Sequence, residues 1–230
     1  MVWKRCYNNQ RGINMDLNYF VKLIKILIKG TQVSLKIFAI TLVFAAPLGI
    51  LISVLSISKN KMISKTVKLY ILLMRGTPLL LQIICIYFAP YYLFKLSYDR
   101  FIAAIIAFSL NYAAYFGEIF RGGIESIPKG QWEVAFTLGF TKIKTFFIII
   151  LPQAIKRILP SISNEIITLV RDTSLAQVIG VTELFAFAQK QANYKFSIIP
   201  LIVAGLIYLL ISVILTYIFN YTERKLEYYR

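Results

Sequence analysis

Residues 130–154, "GQWEVAFTLGFTKIKTFFIIILPQA", place a polar stretch inside a chain that is otherwise strongly apolar. The stretch carries a single acidic residue, Glu133, and a glycine, Gly139, before the sequence becomes apolar again. Hydrophobic residues make up 58% of the 230 residues, whereas a soluble domain has about 45–50%. Several flanking runs have the roughly 20 residues that a helix needs to cross a bilayer. The sequence therefore predicts a membrane protein in which this polar segment lies between membrane-spanning runs.

The apolar runs predict membrane-spanning helices, because the bilayer core offers no partner to an open backbone. Ahead of them, Lys22, Lys25 and Lys29 recur on one face of an otherwise apolar helix, as in a helix that lies in the membrane interface. The expected fold class is all-α integral membrane, with about five transmembrane helices, an N-terminal interfacial helix and a short cytoplasmic helix. The five spans are expected at about 31–57, 66–94, 100–121, 154–171 and 197–220.

The charges predict how the chain is oriented. The 26 Lys and Arg residues against 10 Asp and Glu residues give a net charge of +16, and they cluster between apolar runs, which the positive-inside rule explains better than nucleic-acid binding. Thirteen basic residues lie around 58–65, in the loop around 121–157 and at the C-terminus, against four in the opposite loops. The exception is the segment up to residue 29, whose six basic residues would lie outside.

These patterns divide the chain into three parts. They are a tail and interfacial helix at 1–30, a transmembrane domain at 31–222 with a long loop at about 126–152, and a cytoplasmic tail at 223–230. The lipid membrane is the expected partner, and nucleic acid is not. The chain has no histidine and no phosphate-binding P-loop pattern, so we expect no metal site, no catalytic residue and no cofactor in this chain.

The long loop contains a short amphipathic pattern. After a turn at residues 128–130, four positions recur at helical spacing: Trp132, Ala135, Phe136 and Gly139. A short helix outside the membrane with one apolar face needs a groove on a partner to cover that face. The alternative is a loop that folds against the ends of its own transmembrane helices, and the periodicity alone favours neither.

The same loop resembles the EAA loop of the inner-membrane subunits of ATP-binding-cassette importers. The matching positions are Glu133, Ala135, Gly139, Leu151 and Pro152, and Val134 departs from the usual second alanine. Three further stretches resemble the polar amino-acid branch of these permeases, which serves His, Glu, Gln, Arg and opines. They are "MRGTPLLLQ" (74–82), "GEIFRGGIESIPKGQ" (117–131) and "RDTSLAQVIGVTEL" (171–184).

The resemblance implies an assembly in the cytoplasmic (inner) membrane. Such permeases pair with a second copy or a close relative, receive the amino acid from an extracytoplasmic binding protein, and bind two ATPase subunits that carry ATP and magnesium. The EAA loop would form a coupling helix that docks on the ATPase through Trp132, Glu133, Ala135, Phe136 and Gly139. Gly139 would allow a sharp turn after the helix, and Glu133 would bond at the interface or cap the helix near its N-terminus.

A polar stripe on the fourth predicted span marks a candidate substrate site. Ser161, Glu165, Thr168 and Asp172 fall on one helical face, with Asn164 beside them. Polar side chains at membrane depth usually face a cavity or a partner. The alternative for Asp172 is a structural pair with Arg171. In the family pattern the position of Glu165 is more often glutamine, so the carboxylate favours a cationic ligand, unless it bonds Arg75 instead.

Two other spans contribute candidate residues. On the third span, Asn111 is placed to reach a central cavity, whereas Glu118 is expected to pair with Arg121 at i+3. On the second span, Gly76, Thr77 and Pro78 should loosen the backbone, so that the Thr77 hydroxyl or freed carbonyls face a ligand. The alternative there is a simple kink whose backbone groups find other partners.

The sequence thus predicts a permease subunit of an ATP-driven importer for a polar, cationic amino acid such as arginine, lysine or histidine. It is a transport subunit and not an enzyme. The alternatives are an importer of the same type for glutamine, glutamate or another polar solute, or a gradient-driven secondary transporter. A secondary transporter would favour internal repeats, and we find none in the sequence.

Overall fold

The computed structural model describes residues 17–227 and contains no strand in that range. The longer helices, in chain order, are α1 (Leu17–Ser56), α2 (Lys61–Gly76), α3 (Leu79–Phe94), α4 (Arg100–Glu125), α5 (Lys129–Thr137), α6 (Leu151–Asp172), α7 (Leu184–Lys195) and α8 (Ile199–Glu227). Within the described residues, four helical stretches are long and apolar enough to cross a membrane, or five if α2 and α3 form one span. The predicted all-helical membrane fold with about five spans is confirmed.

The first helix has no boundary at residue 30. α1 runs through 40 residues without a break, which corresponds to about 60 Å, so the predicted interfacial segment and the first span are one helix. Leu23 and Leu27 are buried in a cluster with Leu184 and Ala188 of α7. This packing covers part of the apolar surface of the segment, while Val21, Ile28 and the lysine face remain exposed.

The second predicted span, 66–94, is not one straight helix. α2 and α3 meet at an angle of 109°, and Thr77 between them has the extended conformation, with φ −119° and ψ 148°. Pro78 has no N–H to continue the helical ladder. The predicted weak point at Gly76, Thr77 and Pro78 is therefore confirmed in position, and the structure shows a sharp bend there instead of a continuous span.

α1 and α4 form the centre of the core. Two glycines allow these helices to approach closely: a Cβ on Gly49 would lie 2.6 Å from Phe116 Cβ, and one on Gly117 would lie 2.5 Å from Ile52 Cγ2. Small residues such as Ala103 and Ala107 continue the buried face of α4. The bent span and α6 both pack against α4.

The fourth predicted span, 154–171, begins earlier than expected. A helical turn at Lys142–Lys144 and a π-helical turn at Thr145–Ile150 lead directly into α6, so most of the predicted loop at 126–152 is helical. After α6, a 3₁₀-helix at Thr173–Ile179 and α7 form the connection to α8. The residues between α6 and α8 thus form short, partly buried helical segments.

Candidate functional site

A cavity of about 200 Å³ opens where the bent span, α4 and α6 meet. Its lining combines a few hydrogen-bonding groups with aromatic and aliphatic side chains, as small-molecule sites usually do. The lining residues are Thr77, Leu79, Asn111, Tyr112, Tyr115, Glu165, Thr168 and Asp172.

The structure gathers five of the seven predicted substrate-binding residues in this cavity. Thr77, Asn111, Glu165, Thr168 and Asp172 line it, although they come from three separate predicted spans. The cavity therefore combines two carboxylates with hydroxyl and amide groups.

Ser161 and Asn164 lie elsewhere. Both are exposed on α6 and neither lines the cavity. Ser161 is one turn nearer the start of α6 than Glu165. Asn164 lies about 100° away from Glu165 around the helix, as adjacent residues of an α-helix do.

One of the two carboxylates in the cavity already accepts a hydrogen bond from another side chain of the protein. The Tyr112 hydroxyl donates a hydrogen bond to Asp172 Oδ2 at 2.8 Å, and Tyr112 is only 2% exposed. Arg171 donates instead to the Thr168 hydroxyl at 3.1 Å. The alternative of a structural Arg171–Asp172 pair is therefore not realised, because Tyr112 takes the place of the arginine.

The second carboxylate has no such partner. Among residues 17–227, Glu165 forms no hydrogen bond or salt bridge, although Arg75 is near enough to interact with it electrostatically. Arg75 lies 3.9 Å from Glu118 and 5.3 Å above the Tyr115 ring. The alternative of a direct Glu165–Arg75 bond is absent from the structure.

The predicted pair on α4 is present. Arg121 contacts Glu118 at 2.5 Å, and it also bonds Glu125 one turn further on. Glu118 therefore pairs with Arg121 of α4 and with Arg75 of α2. It does not line the cavity. The expected pairing of Glu118 with Arg121 is confirmed.

Sequence reasoning missed three lining residues and one residue behind them. Tyr115 carries the clearest signal, since it lies four residues after Asn111 on the same helical face. Tyr112 resembles a core aromatic, with Phe108 and Phe116 one turn away on either side. Leu79 is an apolar residue in an apolar run and gives no signal of its own.

Gln82 is the residue behind the cavity that the sequence did not single out. Its side-chain amide bonds Thr77 and Met74 at the bend, and Asn111 bonds Gln82 in turn. No local pattern points to it, because its partners are groups at the bend that the sequence alone does not place.

The short helix α5 has one side packed against the rest of the chain and one side exposed. Trp132 packs against a cluster that contains Ile127 and Ile150, and Ala135 is 1% exposed. This side folds against the chain's own helices. Phe136 is 44% exposed and Leu138 is 70% exposed, so the other side is left uncovered.

Glu133 lies in α5 and Gly139 follows its end, and both residues are exposed. Glu133 is exposed and forms no salt bridge among the described residues. Pro128 takes the N-cap position of α5, and no side chain caps the helix there. Gly139 has φ +81°, so the predicted sharp turn after the helix is confirmed.

The fold and the cavity are those of a membrane-embedded subunit of a transporter: a bundle of spanning helices around a polar cavity, with a short, partly exposed helix in the loop between α4 and α6. The chain belongs to the family of binding-protein-dependent transport system inner membrane components, which matches residues 45–228. It is thus a multi-pass protein of the inner membrane. Membership of this family decides against the gradient-driven secondary transporter.

Named relatives narrow the class further. The arginine transport system permease protein ArtQ of Bacillus subtilis is 39% identical over 217 residues, which cover 94% of this chain and 99% of that protein. GlnP of Rickettsia bellii, whose name refers to glutamine transport, is 36% identical and covers 90% of this chain and 97% of its own length.

A solved structure of an amino-acid transporter is also similar to this chain. A crystal structure described as an amino acid ABC transporter with histidines is 31% identical, with a TM-score of 0.85, and covers 91% of this chain and 98% of its own. The chain is therefore a permease subunit of an ATP-binding-cassette amino-acid importer.

Proposed function

We propose that this permease moves a cationic amino acid, of the arginine, lysine or histidine type, through the cavity between the bent span, α4 and α6. The observation that carries the proposal is the state of Glu165: it lines the cavity, is partly buried and has no hydrogen-bond or salt-bridge partner among the described residues. A carboxylate without a partner in a partly desolvated site is costly. A guanidinium or ammonium group of the substrate would supply that partner.

The other lining residues also favour a cationic substrate. Asp172 adds negative character even though Tyr112 binds one of its oxygens. Thr168 offers a hydroxyl group for the carboxylate of an amino acid. The Thr77 hydroxyl donates its hydrogen to the Leu73 carbonyl, so toward a substrate it is an acceptor only. Arg75 contacts Glu118 and the Tyr115 ring and does not line the cavity, so the wall presents carboxylates and no basic side chain.

The partners follow from the family and from two uncovered surfaces. We assign Phe136, Leu138 and Glu133 on the exposed side of α5 to a cytoplasmic ATPase subunit, one of a pair that binds ATP and magnesium. Ser161 and Asn164 are polar and exposed on a spanning helix, where lipid is a poor neighbour. A second permease subunit, identical or closely related, would cover them, and an extracytoplasmic binding protein would deliver the substrate.

The test replaces one carboxylate by its neutral isostere. In the reconstituted complex, Glu165→Gln should weaken the preference for arginine over glutamine in competitive uptake. A charge-assisted hydrogen bond contributes about 1.5–3 kcal/mol, which corresponds to roughly a 10- to 100-fold loss of that preference. Glu125→Gln is the matched control, because that carboxylate is half exposed at the end of α4 and does not line the cavity.

An unchanged preference in Glu165→Gln, with normal assembly by size exclusion, would show that the external binding protein alone sets specificity. The second candidate is an importer for glutamine or another neutral polar amino acid, and the relative named for glutamine transport favours it. Glutamine that competes as well as arginine in the unaltered complex would select this second candidate.

A further inference from the structure

The bend between α2 and α3 leaves backbone carbonyls without their helical partners. In an α-helix the Met74 carbonyl would accept a hydrogen bond from the N–H of residue 78, but residue 78 is proline and has none. Thr77 has an extended backbone beyond the end of α2, so its carbonyl is also outside the ladder. In a membrane-spanning segment, unsatisfied backbone groups are costly and need other partners.

Two side-chain amides supply these partners. Gln82 Nε2 lies 2.9 Å from the Met74 carbonyl, 3.1 Å from the Thr77 carbonyl and 2.8 Å from the Thr77 hydroxyl. The Thr77 hydroxyl donates its own hydrogen to the Leu73 carbonyl at 2.8 Å, so it acts as an acceptor toward Gln82. The two N–H groups of Gln82 are thereby shared among three acceptors that the bend has left open.

Asn111 completes the arrangement from α4. Its Nδ2 lies 3.0 Å from the Met74 carbonyl and 2.9 Å from Gln82 Oε1. Both of its N–H groups are used in this way, and the residue is 3% exposed. Only its carbonyl oxygen remains for a ligand, so Asn111 is poorly suited to be a donor to substrate even though it lines the cavity.

We propose that Gln82 and Asn111 form an amide clamp, which replaces the missing N–H of Pro78 and fixes the bent span to α4. The clamp thereby fixes two lining residues of the cavity, Thr77 and Leu79, relative to α4. Both clamp residues are thus positioning residues for transport. The inference rests on the proposed function only where it takes the cavity to be the transport site.

The geometric test uses spin labels on the two arms of the bend. Leu69 on α2 and Tyr92 on α3 are exposed by 55% and 72%, so each is changed to cysteine after Cys6 and Cys85 are replaced by serine. The labelled chain is diluted with unlabelled chain in the full complex in nanodiscs, without substrate. Gln82→Leu and Asn111→Leu should shift the distance distribution to longer values and broaden it, because the bend loses its clamp.

Gln189→Leu is the matched control, since this glutamine is exposed on α7 and forms no hydrogen bond to the described residues. If Gln82→Leu does not assemble, Gln82→Glu serves instead, because it keeps the shape of the side chain and removes the N–H donors. A distribution unchanged in both clamp variants would overturn the proposal.

A double-mutant cycle separates the clamp from ordinary packing. Pro78→Ala supplies an N–H at residue 78 and allows Thr77 to take a helical conformation, in which that N–H bonds the Met74 carbonyl. Gln82→Leu should therefore lower the melting temperature less in the Pro78→Ala background than in the natural one. Additive losses would assign Gln82 a packing role and overturn the proposal. Both readouts are independent of the transported amino acid, so they can succeed where the Glu165→Gln test fails, and the reverse.

Discussion

Glu183 is a fully buried carboxylate that joins three helices. Its oxygens accept hydrogen bonds from the N–H groups of Phe185 and Ala186, both at 2.7 Å, and thereby cap α7. The Tyr208 hydroxyl of α8 donates to it at 2.8 Å and the Ser34 hydroxyl of α1 at 3.3 Å. Burial raises the pKa of Glu183 more than these four donors lower it. Glu183 therefore holds α1, α7 and α8 together, although burying its carboxylate costs desolvation free energy.

We expect Glu183→Ala to lower the stability of the purified complex. The change leaves the Tyr208 hydroxyl and two backbone N–H groups without an acceptor, and each buried unsatisfied group costs about 1–3 kcal/mol. Glu183→Gln should cost less, because it keeps one acceptor oxygen and removes the buried charge. Thermal unfolding in detergent measures both, with Gln189→Leu at an exposed position of α7 as control. Equal melting temperatures for Glu183→Ala and the unaltered protein would contradict this role.

Single residues show how far the sequence could specify the site. Glu165, Thr168 and Asp172 were predictable, because one helical period places them on one face and membrane depth requires that face to meet a cavity or a partner. Tyr112 was not, since its role depends on the distance from α4 to α6, which no local pattern contains. The same holds for Gln82, whose partners are carbonyls that exist only because the span is bent.

At the scale of an element, the cytoplasmic helix α5 depends on the turn that follows it. Gly139 has φ +81° and its side has open space, with no atom within 4 Å of a built Cβ. Any cost of substitution there is therefore conformational and not steric. The turn directs the chain from α5 into the helical run that leads to α6, and it fixes how the exposed side of α5 is presented.

We expect Gly139→Pro to uncouple transport while the protein still inserts. Proline fixes φ near −65° and cannot adopt the observed value, so α5 would change its orientation relative to the membrane helices. Uptake in vesicles and co-purification of the ATPase subunit measure the effect. Gly130→Ala is the control, because Gly130 also has open space at its side but lies inside α5 without a positive φ. Normal uptake by Gly139→Pro would remove the coupling role.

Glu133→Lys tests the surface of the same helix. The residue is exposed and forms no salt bridge within residues 17–227, so reversing its charge should leave folding intact and weaken docking of the ATPase. Ala135 offers the contrasting case, since it is 1% exposed and a larger side chain there would disturb the fold. We expect reduced co-purification for Glu133→Lys at an unchanged melting temperature. Full retention of the ATPase would show that this carboxylate lies outside the interface.

Element boundaries were less predictable than element types. The break at Pro78 could be foreseen because proline lacks an N–H. The angle of 109° could not, since it depends on contacts with α4, where Asn111 bonds both Met74 and Gln82. The boundary expected at residue 30 is absent because Leu23 and Leu27 pack on α7. The π-helical turn at Thr145–Ile150 joins the loop to α6. Its sequence resembles the start of a membrane span, so the sequence did not reveal this turn.

At the scale of the whole molecule, the charge asymmetry predicts which ends of the spans face the cytoplasm. Lys142 and Lys190 are both exposed, and the helical run Lys142–Ile179 lies between them in the chain. That run has 38 residues, or roughly 55 Å at 1.5 Å per residue, which exceeds the apolar core of a bilayer. The two lysines therefore suit a test of sidedness, since a run of this length is able to cross the membrane once.

We expect a cysteine at position 142 to react with a membrane-impermeant maleimide only from the cytoplasmic side, and one at position 190 only from outside. Each is introduced alone after both natural cysteines, Cys6 and Cys85, are replaced by serine, and labelling is compared between intact cells and inverted vesicles. A cysteine at Lys59, in the first predicted cytoplasmic loop, is the control and should match position 142. The arginines and lysines of the long loop are what hold it inside, because moving them across the membrane is unfavourable. Labelling of positions 142 and 190 from the same side would mean that residues 142–179 do not cross the bilayer, and it would overturn the five-span topology.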